Sequence, residues 1–424
     1  MEKKKYSIWF YVVLVVIPFL MILLLELSLR VINYGDDYST FVEIEEISPG
    51  DYFLNPDLPK KYFSGTTAIP SVIPDPFTKE KSENTIRIFV FGGSTTAGYP
   101  YPTNASFPRQ IKRKLEMFYP KNKIEVVNLG VSAVNSYFIY DILPDVIQQK
   151  PDLIILYAGH NEFYGALGPA SSENISASPG IVKTILYLRE FKTYQLVYNF
   201  VKSISGLFSG GEDVTRGTLM KQMIKDQEIL LNSELYNDGL IQFRENISET
   251  ISLCNDENIP VIVGELVSNL KQKPLSRTHH GALKLFEDAN EILQEGDTSR
   301  ALVLFEEAKD KDQLRFRAPE DFNKILYELE PSHNLKLVKI KKGFESNSSD
   351  KITGYDLMVD HLHPNLDGYK LMADLFYEAV DELLKVRFDK NEKVSEHAID
   401  NYLSDNFPFT RYDSTLANIK IEIL

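Results

Sequence analysis

The stretch Ile86-Arg87-Ile88-Phe89-Val90-Phe91-Gly92-Gly93-Ser94-Thr95-Thr96-Ala97-Gly98 decides how the rest of the chain is read. Its first six residues are short, β-branched and aromatic, the pattern of a buried strand, and the glycines force a turn where the strand ends. Four further apolar runs repeat the pattern at 124–128, 153–157, 260–265 and 335–340. Amphipathic helices are expected at 107–118, 135–149, 236–255 and 367–384. Such alternation predicts an α/β fold in which helices cover both faces of a parallel sheet. Ligands of open α/β sheets bind beyond the carboxyl ends of the strands, which is where Ser94 falls.

The 424 residues suffice for one large core or two modest ones. A formal net charge of −14 argues against a nucleic-acid partner, because no basic stripe is present to neutralise phosphates. The single cysteine, Cys254, excludes an internal disulfide and a thiolate metal cluster.

At the N-terminus Lys3, Lys4 and Lys5 precede an uncharged apolar stretch over 8–25, the length a spanning helix requires. Pro18 is tolerable in such a helix. The positive flank predicts a single-pass anchor with Met1 cytoplasmic and everything after Arg30 extracytoplasmic. A cleaved signal peptide is the rival, and Glu26-Leu27-Ser28-Leu29-Arg30 offers it no small-x-small cleavage site. Four Asn-x-Ser triplets, at Asn104, Asn174, Asn246 and Asn347, are of a kind that arises by chance and decide nothing.

Beyond this anchor (1–30), residues 31–83 read as a proline-punctuated stalk whose aromatics should pack over the domain, 84–384 being the α/β body. Residues 165–235 suggest an excursion over the site. A helical hairpin turns at Glu295-Gly296-Asp297, within an insert spanning 281–330; Ala289, Ala301, Phe305 and Ala308 fit tetratricopeptide spacing in that hairpin. A protein partner could dock there. The tail 385–424 ends in Ile419-Lys420-Ile421-Glu422-Ile423-Leu424, an alternation that predicts a short half-buried strand.

A serine is a weak nucleophile without a base, and the base needs a carboxylate to hold its tautomer. Asp360-His361-Leu362-His363, just ahead of a helix, supplies both from one segment, with His363 as base and Asp360 as its orienter. The other histidines are His160, His279, His280, His333 and His397, besides His361. His361 and His363 could instead form an H-x-H metal pair, but a catalytic zinc usually takes three protein ligands. Attack on an acyl carbon also needs donors for the oxyanion. Asn128-Leu129-Gly130 offers the Gly130 N–H, and Gly159-His160-Asn161-Glu162 offers the Asn161 amide.

Taken in order, these blocks resemble the SGNH hydrolases, the GDSL-like esterase/lipase superfamily, over roughly residues 84–384. The resemblance implies a three-layer, flavodoxin-like α/β/α sandwich with a five-stranded parallel sheet and no metal or organic cofactor. It implies Ser94 as nucleophile with its own N–H, Gly130 and Asn161 as oxyanion donors, and Asp360 and His363 as the remaining pair. The chain looks most like bacterial membrane-anchored members that carry an inserted tetratricopeptide-like hairpin. Two departures stand out: Gly93 occupies the place of the family's aspartate before the serine, and Glu162 that of the aspartate after the asparagine.

His160 adjoins Asn161 and is read as a supporting or cleft-lining group. Arg315 and Arg317 share one face if their run is extended, and could receive an anionic part of a substrate. The function expected is an exported, membrane-tethered serine esterase acting on an acetylated polysaccharide or a lipid ester. The alternatives are an O-acyltransferase working on an extracytoplasmic glycan, and a non-catalytic scaffold or binding module.

Overall fold

A computed structural model describes residues 7–63, 69–175, 178–208, 228–276 and 280–423. Eight strands occur in chain order: β1 (Phe41–Glu43), β2 (Asp51–Leu54), β3 (Phe77–Thr78), β4 (Thr85–Gly92), β5 (Lys123–Gly130), β6 (Leu153–Tyr157), β7 (Val261–Gly264) and β8 (Leu335–Val338). The last five form one parallel sheet in the order β5-β4-β6-β7-β8, and the first three a small antiparallel sheet. Every residue of β4 and β6 is buried, as strands covered on both faces must be.

The helices are α1 (Ile8–Val31), α2 (Ser94–Ala97), α3 (Phe107–Phe118), α4 (Ser136–Gln148), α5 (Pro179–Arg189), α6 (Lys192–Phe208), α7 (Glu234–Asp256), α8 (His280–Gln294), α9 (Thr298–Lys311), α10 (Glu320–Leu329), α11 (Ile340–Asn347), α12 (Leu366–Leu384), α13 (Glu396–Asp405) and α14 (Arg411–Ile423). Helices α3, α11 and α12 pack together, and so do α4, α7 and α10, giving the two helical layers. Phe107 stacks on Phe376 in the first layer, and in the second Phe322 stacks on Phe163 and meets Phe243 at 4.7 Å.

The strand order places the site. Numbered within the parallel sheet, it runs 2-1-3-4-5, and such sheets reverse direction between their first and third strands. These are β4 and β6, so the turns after Gly92 and Tyr157 flank the crevice at the switch point.

Residues 31–83 are built onto the body through β1–β3. Phe77 meets Phe89 edge-on at 5.1 Å, and Phe41 meets Phe77 at 5.0 Å. Arg87, which interrupts the apolar run of β4, is 1% exposed and pairs with Glu125 at 2.7 Å while donating to the Thr78 carbonyl at 2.6 Å. A buried charge must be paired, and this pairing rivets β3 to the main sheet.

Three boundaries differ from expectation. The tail forms helix α14, not a strand: alternation over six residues is too short to override helix propensity once Thr410 and Asp413 cap the start. The helical pair α8–α9 ends at Lys311 and closes its own small core from Ala289, Ala301 and Phe305 against Leu270 and Ile352. Helix α10, inside the expected 281–330 insert, belongs instead to the main helical layer. Of the excursion 165–235, residues 176–177 and 209–227 lie outside the described residues, as does His279. Helix α1 is long and apolar enough to cross a membrane, and its window of apolar residues is entirely unburied.

Candidate active site

Ser94 opens the single turn α2 immediately after β4, half-buried at the crevice. Its Oγ lies 2.7 Å from His363 Nε2, and His363 Nδ1 lies 2.6 Å from Asp360 Oδ2. An ionised carboxylate only accepts, so His363 carries its proton on Nδ1, and Nε2 is left to accept from the serine. The loop that holds the imidazole is a closed turn. Val359 N donates to the His363 carbonyl at 2.9 Å, and Asp360 Oδ1 accepts from the N–H groups of Leu362 and His363, each at 2.8 Å. Asn365 then caps α12 by accepting from Gly368 N at 2.9 Å. Burial alone would raise the Asp360 pKa, but the charge and hydrogen bonds of His363, with His361 nearby, hold it well below the usual carboxylate range.

Asn161 reaches the same place from β6. Its Nδ2 donates to the Val134 carbonyl at 3.1 Å, which uses one amide hydrogen and leaves the second. A Cβ on Gly93 would lie 2.7 Å from that Nδ2, so the glycine in place of the family's aspartate lets the amide close against the serine's backbone. The Ser94 N–H, at the first residue of the turn, has no partner among the described residues.

Gly130 is not placed to act as expected. Its N–H donates to Asn128 Oδ1 at 2.9 Å, inside the end of β5, where it is registered against Gly92. Asn128 also donates through Nδ2 to the Thr96 carbonyl at 2.8 Å, so it ties the two strand-end turns together. In the turn that follows, the N–H of Ala133, three residues on, has no partner among the described residues. Ala133 has φ of 63°, a left-handed conformation costly for alanine, next to Val134, which lines the site. No local pattern marks an alanine for this geometry, which is why the sequence points to the glycine.

His160 lines the site, 8% exposed, and its Nδ1 accepts from Ala318 N at 3.2 Å. Burial, then the neighbouring His363 and His361, push its pKa down to about 3, so it is a neutral brace. His361 is likewise buried, its pKa pushed down to about 4 despite Asp360. Arg315 and Arg317 are turned inward, 2% and 3% exposed, and are not available to a substrate anion. Arg315 donates to the carbonyls of Ile229 and Asp310. Arg317 pairs with Asp312 at 3.0 Å and donates to the Asn269 carbonyl at 3.1 Å. Asn269 in turn donates to the carbonyls of Asp360 and His361, each at 3.0 Å, so Arg317 steadies the histidine loop from behind. Tyr99, unremarked in the sequence, tilts over His363 with ring centres 4.6 Å apart and donates to the Lys420 carbonyl at 2.8 Å. The tail helix therefore borders the site. Among the described residues no group of three or more His, Cys, Asp or Glu is placed to hold a metal ion.

Glu162 is wholly buried and clamps the start of α4 to the Asn161 turn, accepting from Ser136 Oγ and Gln242 Nε2, each at 2.5 Å, and from Ser136 N at 3.2 Å. Burial raises its pKa to about 7 against those three donors. A carboxyl whose folded pKa exceeds its unfolded one stabilises fully below the unfolded value, and that contribution is lost as pH rises through the folded value. Thermal stability is therefore expected to decline between about pH 4.5 and pH 7, by about 3 kcal/mol from this group. Glu162→Gln should flatten that slope in a series of melts across pH, its cost in stability being greatest at low pH, where there is no charge penalty for it to relieve.

A hydroxyl, an imidazole and a carboxylate thus stand in hydrogen-bonded series at the switch point of a parallel sheet, the arrangement that serine hydrolases use. The profile of the GDSL-like lipase/acylhydrolase family matches residues 90–371, and the chain belongs to that family. A search of curated protein sequences gives no match. Among solved structures, the chain is similar to a catalytic variant of an acetylxylan esterase from Geobacillus stearothermophilus, with 13% identity, a TM-score of 0.38, and coverage of 71% of this chain and 96% of that one. It is similar to a GDSL-like lipase from Bacteroides thetaiotaomicron, with 13% identity, a TM-score of 0.35, and coverage of 72% and 92%. It is also similar to a lipase/acylhydrolase from Enterococcus faecalis, with 14% identity, a TM-score of 0.36, and coverage of 73% and 100%.

Proposed function

We propose that this esterase is held in a membrane by α1, with its body outside the cytoplasm, and that it removes small acyl groups, acetyl first, from an O-acylated glycan. The observation that carries the chemistry is the 2.7 Å and 2.6 Å series from Ser94 through His363 to Asp360. Ser94 Oγ attacks the ester carbonyl as its proton passes to His363 Nε2, and Asp360 stabilises the imidazolium. The oxyanion is met by the N–H groups of Ser94 and Ala133 and by the free amide hydrogen of Asn161. His363 then returns its proton to the leaving alcohol, and water, activated by the same nitrogen, releases the acid.

The acyl size follows from the space beside the hydroxyl. The cavity bounded by Ser94, Val134, Tyr157, His160 and Leu362 measures about 10 Å³, roughly one water or one methyl group. An acetyl methyl matches that space, which favours acetyl over longer acyl chains. The compartment is argued from Lys3, Lys4 and Lys5 ahead of the apolar helix.

The full chain in detergent, given aryl acetate, butyrate and octanoate, should show kcat/KM falling steeply after acetate. Equal or rising rates with length overturn the acetyl assignment. Acetate released from an acetylated polysaccharide without any added acceptor supports hydrolysis, whereas release that requires a sugar acceptor identifies a transferase. Asn161→Ala should lower kcat by about 10²–10³ with KM little changed, because its donor is aimed at charge that develops in the transition state.

A further inference from the structure

We propose that α6 is a second membrane contact: its apolar stripe lies in the lipid interface beside α1 and lays the catalytic body against the bilayer surface. This rests on the reading of α1 as a membrane span. Val197, Phe200, Val201 and Ile204 recur at i, i+3, i+4 and i+7, one face of a helix, and they are 56%, 64%, 58% and 40% exposed. A contiguous apolar stripe facing solvent on an otherwise well-packed protein marks a contact surface.

The structure also fixes the level of α6 relative to α1. The uncharged stretch over 8–25 is about 27 Å long as a helix, close to the thickness of the hydrocarbon layer. Glu26, the first charge after it, therefore sits at the layer's edge. That same carboxylate accepts from Thr193 N and Thr193 Oγ1 at 2.8 and 2.9 Å and from Lys192 N at 3.1 Å, which roots the first turn of α6 at that edge. The opposite face of α6 is spoken for: Gln195 exchanges hydrogen bonds with the backbone of Asp36, and Asn199 donates to the Tyr34 hydroxyl. The two helices are thus joined at the level where the hydrocarbon layer ends, which puts the stripe within reach of lipid. Tyr194 and Tyr198, stacked at 6.4 Å on the flank of the stripe, suit the interface, where amphipathic rings concentrate.

The test uses the full chain in vesicles of phosphatidylethanolamine and phosphatidylglycerol, part of the lipid carrying a nitroxide near the headgroup end of its acyl chain. Trp9 is the only tryptophan, so its quenching reports α1 alone. In a Trp9→Phe background, Val201→Trp places an indole on the stripe and Asn199→Trp places one on the opposite face, both variants first shown to keep the parent esterase rate. The Val201→Trp indole is expected to be quenched by the lipid nitroxide and shielded from aqueous iodide, and the Asn199→Trp indole to behave the opposite way. If Trp9 is lipid-quenched while both introduced indoles answer equally to iodide, α6 is not in the interface and the anchor stands. Shielding of Val201→Trp from both quenchers means that protein covers the stripe, and also overturns the proposal. Trp9 open to iodide removes the anchor and this inference together.

Discussion

Ser94→Ala is expected to abolish ester hydrolysis, with kcat reduced by about 10⁴-fold or more, and to end labelling by a fluorophosphonate. The hydroxyl has an imidazole nitrogen at 2.7 Å to take its proton, and the residue's own N–H has no partner among the described residues. Its removal deletes one half-exposed hydrogen bond, so thermal stability should shift by no more than about 1 kcal/mol. Activity that persists in Ser94→Ala at the parent rate would remove the nucleophile and, with it, the covalent mechanism.

Asp360→Asn should cost nearly as much, about 10⁴-fold in kcat, through a change of tautomer with the loop intact. The two backbone N–H groups at 2.8 Å on Oδ1 dictate which end of the new amide faces them: its oxygen. The NH₂ then points at His363 Nδ1 and requires a lone pair there, so the ring proton moves to Nε2 and faces the serine. An imidazole so protonated cannot take the serine's proton. The variant should also change acid behaviour. The Asp360 carboxyl is held below its usual range, so its contribution to stability is present above about pH 4 and is lost as pH falls toward the folded value. Melts below that pH should show a shallower acid decline in Asp360→Asn. An unchanged kcat would mean that Asp360 serves only the loop.

The sheet was legible because its central strands are buried on both faces and so read as apolar runs; in β4 even Arg87 left the pattern intact, since five apolar residues surround it. The histidine segment was legible for a different reason: Asp360 and His363 are three residues apart on one turn, so their mutual contact is local. What could not be read was set by distant partners. Arg315 and Arg317 look like free cations until Asp312, Asn269 and Ile229 are brought around them. Gly130 looks like an open donor until Asn128, two residues back, takes its N–H, and the left-handed Ala133 carries no residue-type signal at all. The tail's alternation resembled a strand because a six-residue pattern does not distinguish the two periods, and its packing beside Tyr99 is a tertiary fact.

Ser94 and His363 stand 269 positions apart, with most of the parallel sheet threaded between them. A ribosome has therefore made most of the polypeptide before the imidazole exists to meet the hydroxyl, and on the proposed mechanism a chain ending ahead of residue 363 lacks its base. On that mechanism the order of synthesis would keep unfinished copies from cleaving esters wherever they are made.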